Sequence, residues 1–275
     1  MMRRRIRLLL TGFALLFVTG YTGVAAAMFV MQRDLLFNTR DTGELSKAGT
    51  LAIAGGRRVA IATPDGETLA AWYLAPQPGH PVYLFLHGKG GGLERKTWRW
   101  KRLREHGDGV LAISDRGYPG STGSPSEDGL MIDGRAAYDW LLANGHTPSD
   151  IVLHGLSLGS GVAAKLATEV AAKALILEAP YTAIVDIAGE RFWWLPVRFL
   201  MRDQFLTRER IGKVRMPVLM AHGTRDSVIP YTHVERLFML APEPKILARM
   251  IGSDHATLVR DGIYEQHIWP FLARL

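Results

Sequence analysis

Residues 151–166 read IVLHGLSLGSGVAAKL, and this stretch decides the fold. It opens with an apolar run typical of a buried strand, passes through Gly155-Leu156-Ser157-Leu158-Gly159, and continues with small and apolar residues at helical spacing. A G-x-S-x-G sequence between a strand and a helix indicates a sharp turn that exposes the serine hydroxyl. We expect glycine at both flanks because neighbouring backbone approaches too closely there for a Cβ atom. Ser157 is therefore the candidate nucleophile.

Apolar runs on both sides of this stretch alternate with helix-length segments. This alternation predicts an α/β fold with a mostly parallel sheet covered by helices on both faces. Upstream, Pro64-Asp65-Gly66 separates two β-rich runs, 59–63 and 68–75, and predicts a hairpin at the sheet edge. The six predicted sheet strands are residues 82–86, 110–114, 151–153, 174–177, 218–221 and 246–250.

The segment 181–215 interrupts this alternation between two predicted strands. It is rich in aromatic and arginine residues, and we interpret it as a short helical cap. Two hypotheses remain open for Phe192, Trp193, Trp194 and Leu195. They are either buried beneath the sheet, or they line an acyl pocket or touch lipid.

A serine hydroxyl needs a base within hydrogen-bond reach and a carboxylate that orients the base. Asp226 and His255 each follow an apolar run, so both are expected at the sheet edge formed by the carboxyl ends of the strands. The chain order Ser157, Asp226, His255 matches the order found with G-x-S-x-G turns. Asp254 is the weaker candidate for the acid, because adjacent residues on one loop seldom face each other.

The other histidines are expected to be structural or solvated. His154 and His222 lie within or at the ends of predicted strands, and His87 begins a loop that it is expected to orient. The remaining five are expected at the solvated surface: His80, His106, His146, His233 and His267.

Acyl transfer also requires N–H donors for the developing oxyanion. The amide of Leu158, directly after Ser157, is one candidate donor. The amide of Lys89 is the other, in the glycine-rich loop 87–92 that follows the strand 82–86. This loop lacks the G-x-x-x-x-G-K-[ST] arrangement of a phosphate-binding loop.

Composition excludes several classes of function. The chain has no cysteine, which removes disulfides, thiolate zinc sites and a cysteine nucleophile. Four N-terminal arginines within residues 3–7 account for four of the seven net positive charges, so nucleic-acid binding is not expected.

The basic segment 94–106 either faces anionic headgroups or phosphates, or is a helix with a solvated outer face, and we favour the second interpretation.

The first 32 residues predict a membrane anchor. Residues 8–32 carry no charge and are long enough to cross a bilayer as a helix. The arginines before them predict a cytoplasmic N-terminus, with the rest of the protein on the far side. A cleaved signal sequence ending near Ala25-Ala26-Ala27 is the alternative, and it also places the protein outside the cytoplasm. We assign residues 33–56 to a linker and 57–275 to the folded domain.

From about residue 57 to its end the chain resembles the α/β-hydrolase superfamily. It is most similar to single-pass membrane hydrolases grouped with serine-aminopeptidase-like and acyl-protein thioesterase-like enzymes. The elbow around Ser157 and the loops of residues 87–92, 226 and 255 carry the superfamily resemblance. Three stretches carry the resemblance to the subgroup: QRDLLF at 32–37, DRGYPGS at 115–121 with Gly123, and EAPYT at 178–182. The resemblance implies triad roles for Ser157, Asp226 and His255, and oxyanion roles for Lys89 and Leu158.

The expected function is that of a serine hydrolase acting on carboxylic ester or thioester bonds of lipid-like acyl substrates, with no metal or cofactor. A serine peptidase is the first alternative, in which Glu178 or Glu190 would hold a substrate ammonium group. A membrane-tethered binding protein without catalysis is the second. An intact set of serine, histidine and aspartate argues against this second alternative.

Overall fold

The computed structural model describes residues 2–39, 55–90 and 92–275. Within them, one eight-stranded sheet has the order β1-β2-β4-β3-β5-β6-β7-β8. Strand β2 pairs antiparallel with β1 and β4, and all other neighbours are parallel. The predicted mostly parallel sheet and its edge hairpin are confirmed. The strands are Gly56–Ala62 (β1), Thr68–Leu74 (β2), Val82–Leu86 (β3), Gly109–Ile113 (β4), Ile151–Leu156 (β5), Ala174–Glu178 (β6), Val218–Gly223 (β7) and Lys245–Met250 (β8).

Helices cover both faces of the sheet, and each face has its own apolar layer. Leu130, Val162 and Val234 belong to one layer, whereas Trp100 and Phe271 belong to the other. The parallel strands are apolar along their length because both of their faces are buried. The helices are Met2–Leu36 (α1), Thr97–His106 (α2), Glu127–Ala143 (α3), Leu158–Leu166 (α4), Ile184–Arg191 (α5), Val197–Leu200 (α6), Thr207–Arg210 (α7), Thr232–Leu240 (α8) and Trp269–Leu272 (α9).

Helix α1 continues past the boundary predicted between anchor and linker. It is long and apolar enough to cross a membrane, with a mean hydropathy of 1.9. It does not end at Gln32 but continues to Leu36, and Arg33 forms an ion pair with Asp203 at 2.8 Å. Residues 33–36 are therefore helix docked on the domain. The part of the predicted linker at 40–54 lies outside the described residues.

Three short helices, α5 to α7, lie between β6 and β7, and we call the segment 184–210 the cap. Leu195 is buried in a small cluster that also includes Val197 and the α1 residues Ala25 and Met28. Trp193 is 82% exposed. Burial beneath the sheet was therefore the wrong hypothesis for this tryptophan.

Candidate active site

Ser157 occupies a strained turn between β5 and α4. Its backbone has φ 50° and ψ −118°, a conformation that side-chain-bearing residues rarely adopt. A Cβ at Gly155 would collide with the carbonyl oxygen of Gly159, and one at Gly159 would collide with that of Leu86. The expectation that both flanking glycines are needed for close backbone approach is confirmed.

The structure brings Ser157, His255 and Asp226 into one chain of hydrogen bonds. With Nδ1 of His255 protonated, this nitrogen donates to Asp226 Oδ2 at 2.7 Å. The Ser157 hydroxyl then donates to His255 Nε2 at 3.0 Å. The three residues follow β5, β7 and β8, so the carboxyl edge of the parallel sheet sets their positions.

Asp226 is held as a carboxylate by several donors. Its Oδ1 accepts the backbone N–H groups of Val228 and Ile229, both at 2.8 Å. Its Oδ2 lies 3.2 Å from His222 Nε2 as well as next to His255. Burial by itself raises the pKa of Asp226, but the hydrogen bonds from His222, His255 and Ile229 outweigh burial and lower that pKa below its usual value.

Asp254 plays a different part in the same loop. Its Oδ1 accepts the backbone N–H of His255 at 2.6 Å and that of Ser227 at 3.2 Å. The carboxylate thus braces the main chain that carries His255, while Asp226 contacts the imidazole.

The two candidate oxyanion donors border Ser157. Leu158 is the first residue of α4, where a helical N–H has no acceptor within its own helix. Lys89 follows Gly88, and a Cβ built on Gly88 would lie 3.1 Å from the Ser157 Cβ. The Tyr118 hydroxyl donates to the Lys89 carbonyl at 2.9 Å, which fixes the peptide that follows this residue.

His87 orients the loop that contains Lys89, as expected from the sequence. Its Nδ1 donates to the Gly88 carbonyl at 2.7 Å, and its Nε2 accepts the Asp115 backbone N–H at 3.1 Å. Burial, with a contribution from the charge of Lys96, lowers the pKa of His87 to about 3. The ring therefore stays neutral and keeps one donor and one acceptor.

A buried ion pair, which was not foreseen from the sequence, borders the cavity at Ser157. Arg99 donates to both carboxylate oxygens of Glu178, at 2.7 and 3.0 Å, and His154 lies 3.1 Å from the same carboxylate. Burial raises the pKa of Glu178, but the charge of Arg99 and the hydrogen bonds outweigh it and lower that pKa. Segment 94–106 has the expected solvated outer face, with Lys101, Arg104 and Glu105 exposed, whereas Arg99 and Trp100 lie on its buried face.

His233 also differs from its prediction as a surface residue. It is 0% exposed, its Nδ1 lies 2.8 Å from the Thr182 hydroxyl, and its Nε2 lies 3.2 Å from Glu190. It links α8 to the segment that opens the cap. The two partner residues lie 51 and 43 positions upstream, so the sequence offered no local signal for this burial.

A cavity of about 720 Å³ opens at Ser157 and His255. This volume lies within the range of about 300–1,000 Å³ that is common for small-molecule sites. Its lining is mostly apolar and comes from α1, from the loop at 88–90, from α2, from the Ser157 turn, from the end of β6, from the cap and from the loops after β7 and β8. Examples of the apolar lining residues are Met28, Leu36, Ile184, Phe192, Leu195 and Val228.

Within the described ranges, His80, His106 and Asp108 form the group whose side chains could hold a metal ion, with ligand atoms within 4.8 Å of one another. His80 and Asp108 precede β3 and β4, so the group lies at the amino ends of strands, opposite to Ser157. Asp108 also accepts the Trp269 indole N–H at 2.9 Å. This group belongs to the scaffold and not to the cavity at Ser157.

Comparisons with known sequences give relatives over most of the chain. An uncharacterized protein of Mycobacterium tuberculosis is 35% identical over 237 residues, which cover 85% of this chain and 84% of the relative. The lysophosphatidylserine lipase of Danio rerio is 32% identical over 199 residues, which cover 65% of this chain. The aligned part spans about half of that lipase, 52% of its length.

Solved structures share the fold at low sequence identity. An alpha-beta hydrolase of Vibrio vulnificus superposes with a TM-score of 0.72 at 20% identity, covering 87% of this chain and 92% of that one. An esterase of Pyrococcus furiosus superposes with a TM-score of 0.66 at 18% identity, covering 85% and 96%. The sequence model of the alpha/beta hydrolase family matches residues 83–265, more than half of the chain. The chain belongs to the alpha/beta hydrolase family.

Proposed function

We propose that this protein is a serine hydrolase that cleaves carboxylic ester or thioester bonds of lipid-like acyl substrates. The observation that carries the proposal is the continuous hydrogen-bond chain from the Ser157 hydroxyl through His255 to Asp226. Such a chain supplies a nucleophile, a base and the group that orients the base.

In this mechanism the Ser157 oxygen attacks the carbonyl carbon while His255 Nε2 takes the hydroxyl proton. The amides of Leu158 and Lys89 stabilise the oxyanion, and loss of one such donor costs about 2.7–4 kcal/mol in a well-studied case. His255 then gives its proton to the departing alcohol or thiol, which leaves Ser157 acylated. Water repeats the sequence with His255 as base and releases the carboxylic acid.

The lipid-like substrate class is supported by the mostly apolar cavity at Ser157 and by the similarity to the lysophosphatidylserine lipase of Danio rerio. The peptidase alternative has less support. It needs a carboxylate free to hold a substrate ammonium, but Glu178 is saturated by Arg99 and His154. Glu190 contacts His233 and Arg236.

We also propose that α1 anchors the protein in a membrane, with its N-terminus in the cytoplasm and the hydrolase domain on the far side. Support comes from the length and mean hydropathy of the helix and from the arginines at residues 3–7.

Labelling of the full-length protein with a fluorophosphonate probe tests the nucleophile. We expect the wild type to be labelled and Ser157→Ala to be unlabelled, because the probe reacts with activated serine. Ser160→Ala is the matched control, since Ser160 lies three residues further on, in the first turn of α4, and is 0% exposed. Hydrolysis of p-nitrophenyl esters of increasing chain length then measures the preferred acyl length. Equal labelling or equal ester turnover in Ser157→Ala would disprove the assignment.

A further inference from the structure

Helix α1 supplies one wall of the catalytic cavity in addition to the predicted membrane span. Met28, Gln32 and Leu36 recur every four residues, and with Phe29 they line the same cavity as Ser157. Residues at this spacing share one face of a helix. An anchor that served only as a tether would have no need to present a continuous face to the substrate cavity.

Specific hydrogen bonds hold this helix against the cap. The Gln32 side chain donates to the Leu200 carbonyl at 3.2 Å and accepts the Arg202 backbone N–H at 2.7 Å. Further towards the N-terminus, the Tyr21 hydroxyl donates to the Trp194 carbonyl at 3.0 Å. The hydrogen-bonded contact between α1 and the cap therefore extends from Gln32 back to Tyr21.

The length of the apolar span places part of this contact within the bilayer. A hydrocarbon core of ~30 Å requires about 20 helical residues, so a span that begins at Leu8 ends near Ala27. Tyr21 lies six residues before Ala27, which corresponds to about 9 Å of helix. The Trp194 carbonyl is bonded to Tyr21, so the cap must reach this depth too. Surfaces that insert into one leaflet lie about 5–10 Å deep.

The exposed surface of the cap next to α1 has the composition of a membrane-inserted surface. Phe199 is 91% exposed, Trp193 82% and Trp194 42%. The Arg198 side chain is 72% exposed, and the Arg202 guanidinium lies over the Phe29 ring at 4.4 Å. Exposed aromatic rings with arginine at their border are typical of contact with lipid headgroups and upper acyl chains.

We propose that the cap inserts into the leaflet on the domain's side of the membrane, and that the substrate is an acyl ester resident in that leaflet whose chain enters the cavity along α1. This inference rests on the proposed hydrolase function for the identity of the substrate. Met28 and Phe29 follow directly after Ala27, where a span of about 20 residues that begins at Leu8 ends, so the cavity begins at the level of the bilayer surface. An acyl chain can reach Ser157 from there without crossing bulk water.

The first test measures the depth of the cap. Because the chain has no cysteine, Phe199→Cys and Met239→Cys each carry a single environment-sensitive fluorescent label. Met239 is 73% exposed on α8 and serves as the matched control. In vesicles of phosphatidylcholine and phosphatidylglycerol, we expect quenchers attached to lipid acyl chains to quench the label at 199 and not that at 239. Equal quenching by a water-soluble quencher at both positions would overturn insertion, as would protection of position 199 by a protein partner.

The second test measures the role of α1 in substrate selection. Met28→Trp fills the α1 side of the cavity, whereas Val30→Trp places the same ring on a face of the helix where Val30 is 80% exposed. We expect the ratio of long-chain to short-chain ester turnover to fall about tenfold in Met28→Trp, since the cost of overpacking is of that order, and to stay unchanged in Val30→Trp. An unchanged ratio in Met28→Trp would disprove the acyl path. If the wild type hydrolysed no ester, the hydrolase proposal would fail, and the label depth would still decide insertion.

Discussion

The carboxylate of Asp226 is buried at the site and surrounded by hydrogen-bond donors. Its side chain is 0% exposed, and four donors from two histidines and two backbone amides surround its oxygens. Asp226→Asn should keep this packing but favour the wrong His255 tautomer. We expect kcat to fall by about 10⁴-fold, as found for the corresponding change in a serine protease. Steady-state hydrolysis of a short p-nitrophenyl ester measures the change.

Asp254→Asn is the matched control for this prediction. Asp254 is adjacent to His255 and accepts its backbone N–H, yet it is a partner of the main chain and not of the ring. A much smaller loss of kcat is expected. If Asp254→Asn lost as much activity as Asp226→Asn, the assignment of the acid would be wrong.

The sequence predicted the positions of these residues because each follows a short apolar run at the carboxyl end of a strand. Ser157, Asp226 and His255 needed no knowledge of distant contacts for this placement. Arg99 and His233 could not be placed in the same way. Both are buried because a carboxylate or hydroxyl far along the chain reaches them, and only the folded sheet brings those partners together.

At the level of elements, the ion pair between Arg99 on α2 and Glu178 at the end of β6 joins a helix to the sheet beside the cavity at Ser157. Glu178→Gln leaves the Arg99 charge buried without its counter-ion. Removing one partner of such a pair costs about 3–5 kcal/mol of unfolding free energy. We expect a fall in Tm of about 10 °C, measured by thermal unfolding of the detergent-solubilised protein.

Asp139→Asn provides the comparison for this change. It removes an exposed ion pair with Arg135 within α3, where both side chains are about half exposed, and such pairs contribute about 0.3–0.5 kcal/mol.

The effect of Glu178→Gln should also depend on pH. The folded-state pKa of Glu178 is lowered, so its stabilisation is complete above the unfolded pKa of about 4.3 and is lost as the pH falls below it. A difference in Tm that stayed constant through acidic pH would contradict the charged pair.

The strands were predictable because a parallel sheet buried on both faces requires nearly continuous apolar runs, which stand out between polar helices. The end of α1 was not. The sequence QRDLLF at 32–37 looks like the start of a polar connection. However, the side chains of Gln32 and Arg33 form hydrogen bonds with the cap, and the helix continues through both residues. The exposure of Trp193 could not be predicted from the sequence either, because it depends on where the cap lies relative to α1.

For the whole molecule, the charge asymmetry around α1 predicts a fixed orientation in the membrane. Single cysteines at Met2→Cys and Met239→Cys report the two ends, since both native side chains are exposed, at 77% and 73%. In right-side-out membrane vesicles, a membrane-impermeant maleimide should label position 239 directly and position 2 only after permeabilisation. Labelling of position 2 alone before permeabilisation would show the opposite orientation.

The mass of the membrane-extracted protein is the control for this experiment. An intact N-terminus is expected for an anchor, whereas removal of residues 1–27 would indicate a cleaved signal sequence.

The sequence could predict a hydrophobic span, but it could not predict that the same helix lines the cavity. It depends on the helix continuing straight from the membrane into contact with the cap.

Phe37, directly after α1, has a consequence for any shortened version of this protein. Its ring is 1% exposed and meets Phe205 edge to face, with centroids 6.2 Å apart. A soluble form that began at residue 40 would lose this ring and leave a hole in the core, at a cost of about 3–5 kcal/mol if it resembles removal of a buried phenylalanine side chain. This loss is a large fraction of the unfolding free energy of an ordinary domain, which is about 5–15 kcal/mol. Expression for biochemical work should therefore begin upstream of Gln32 or retain the full chain in detergent.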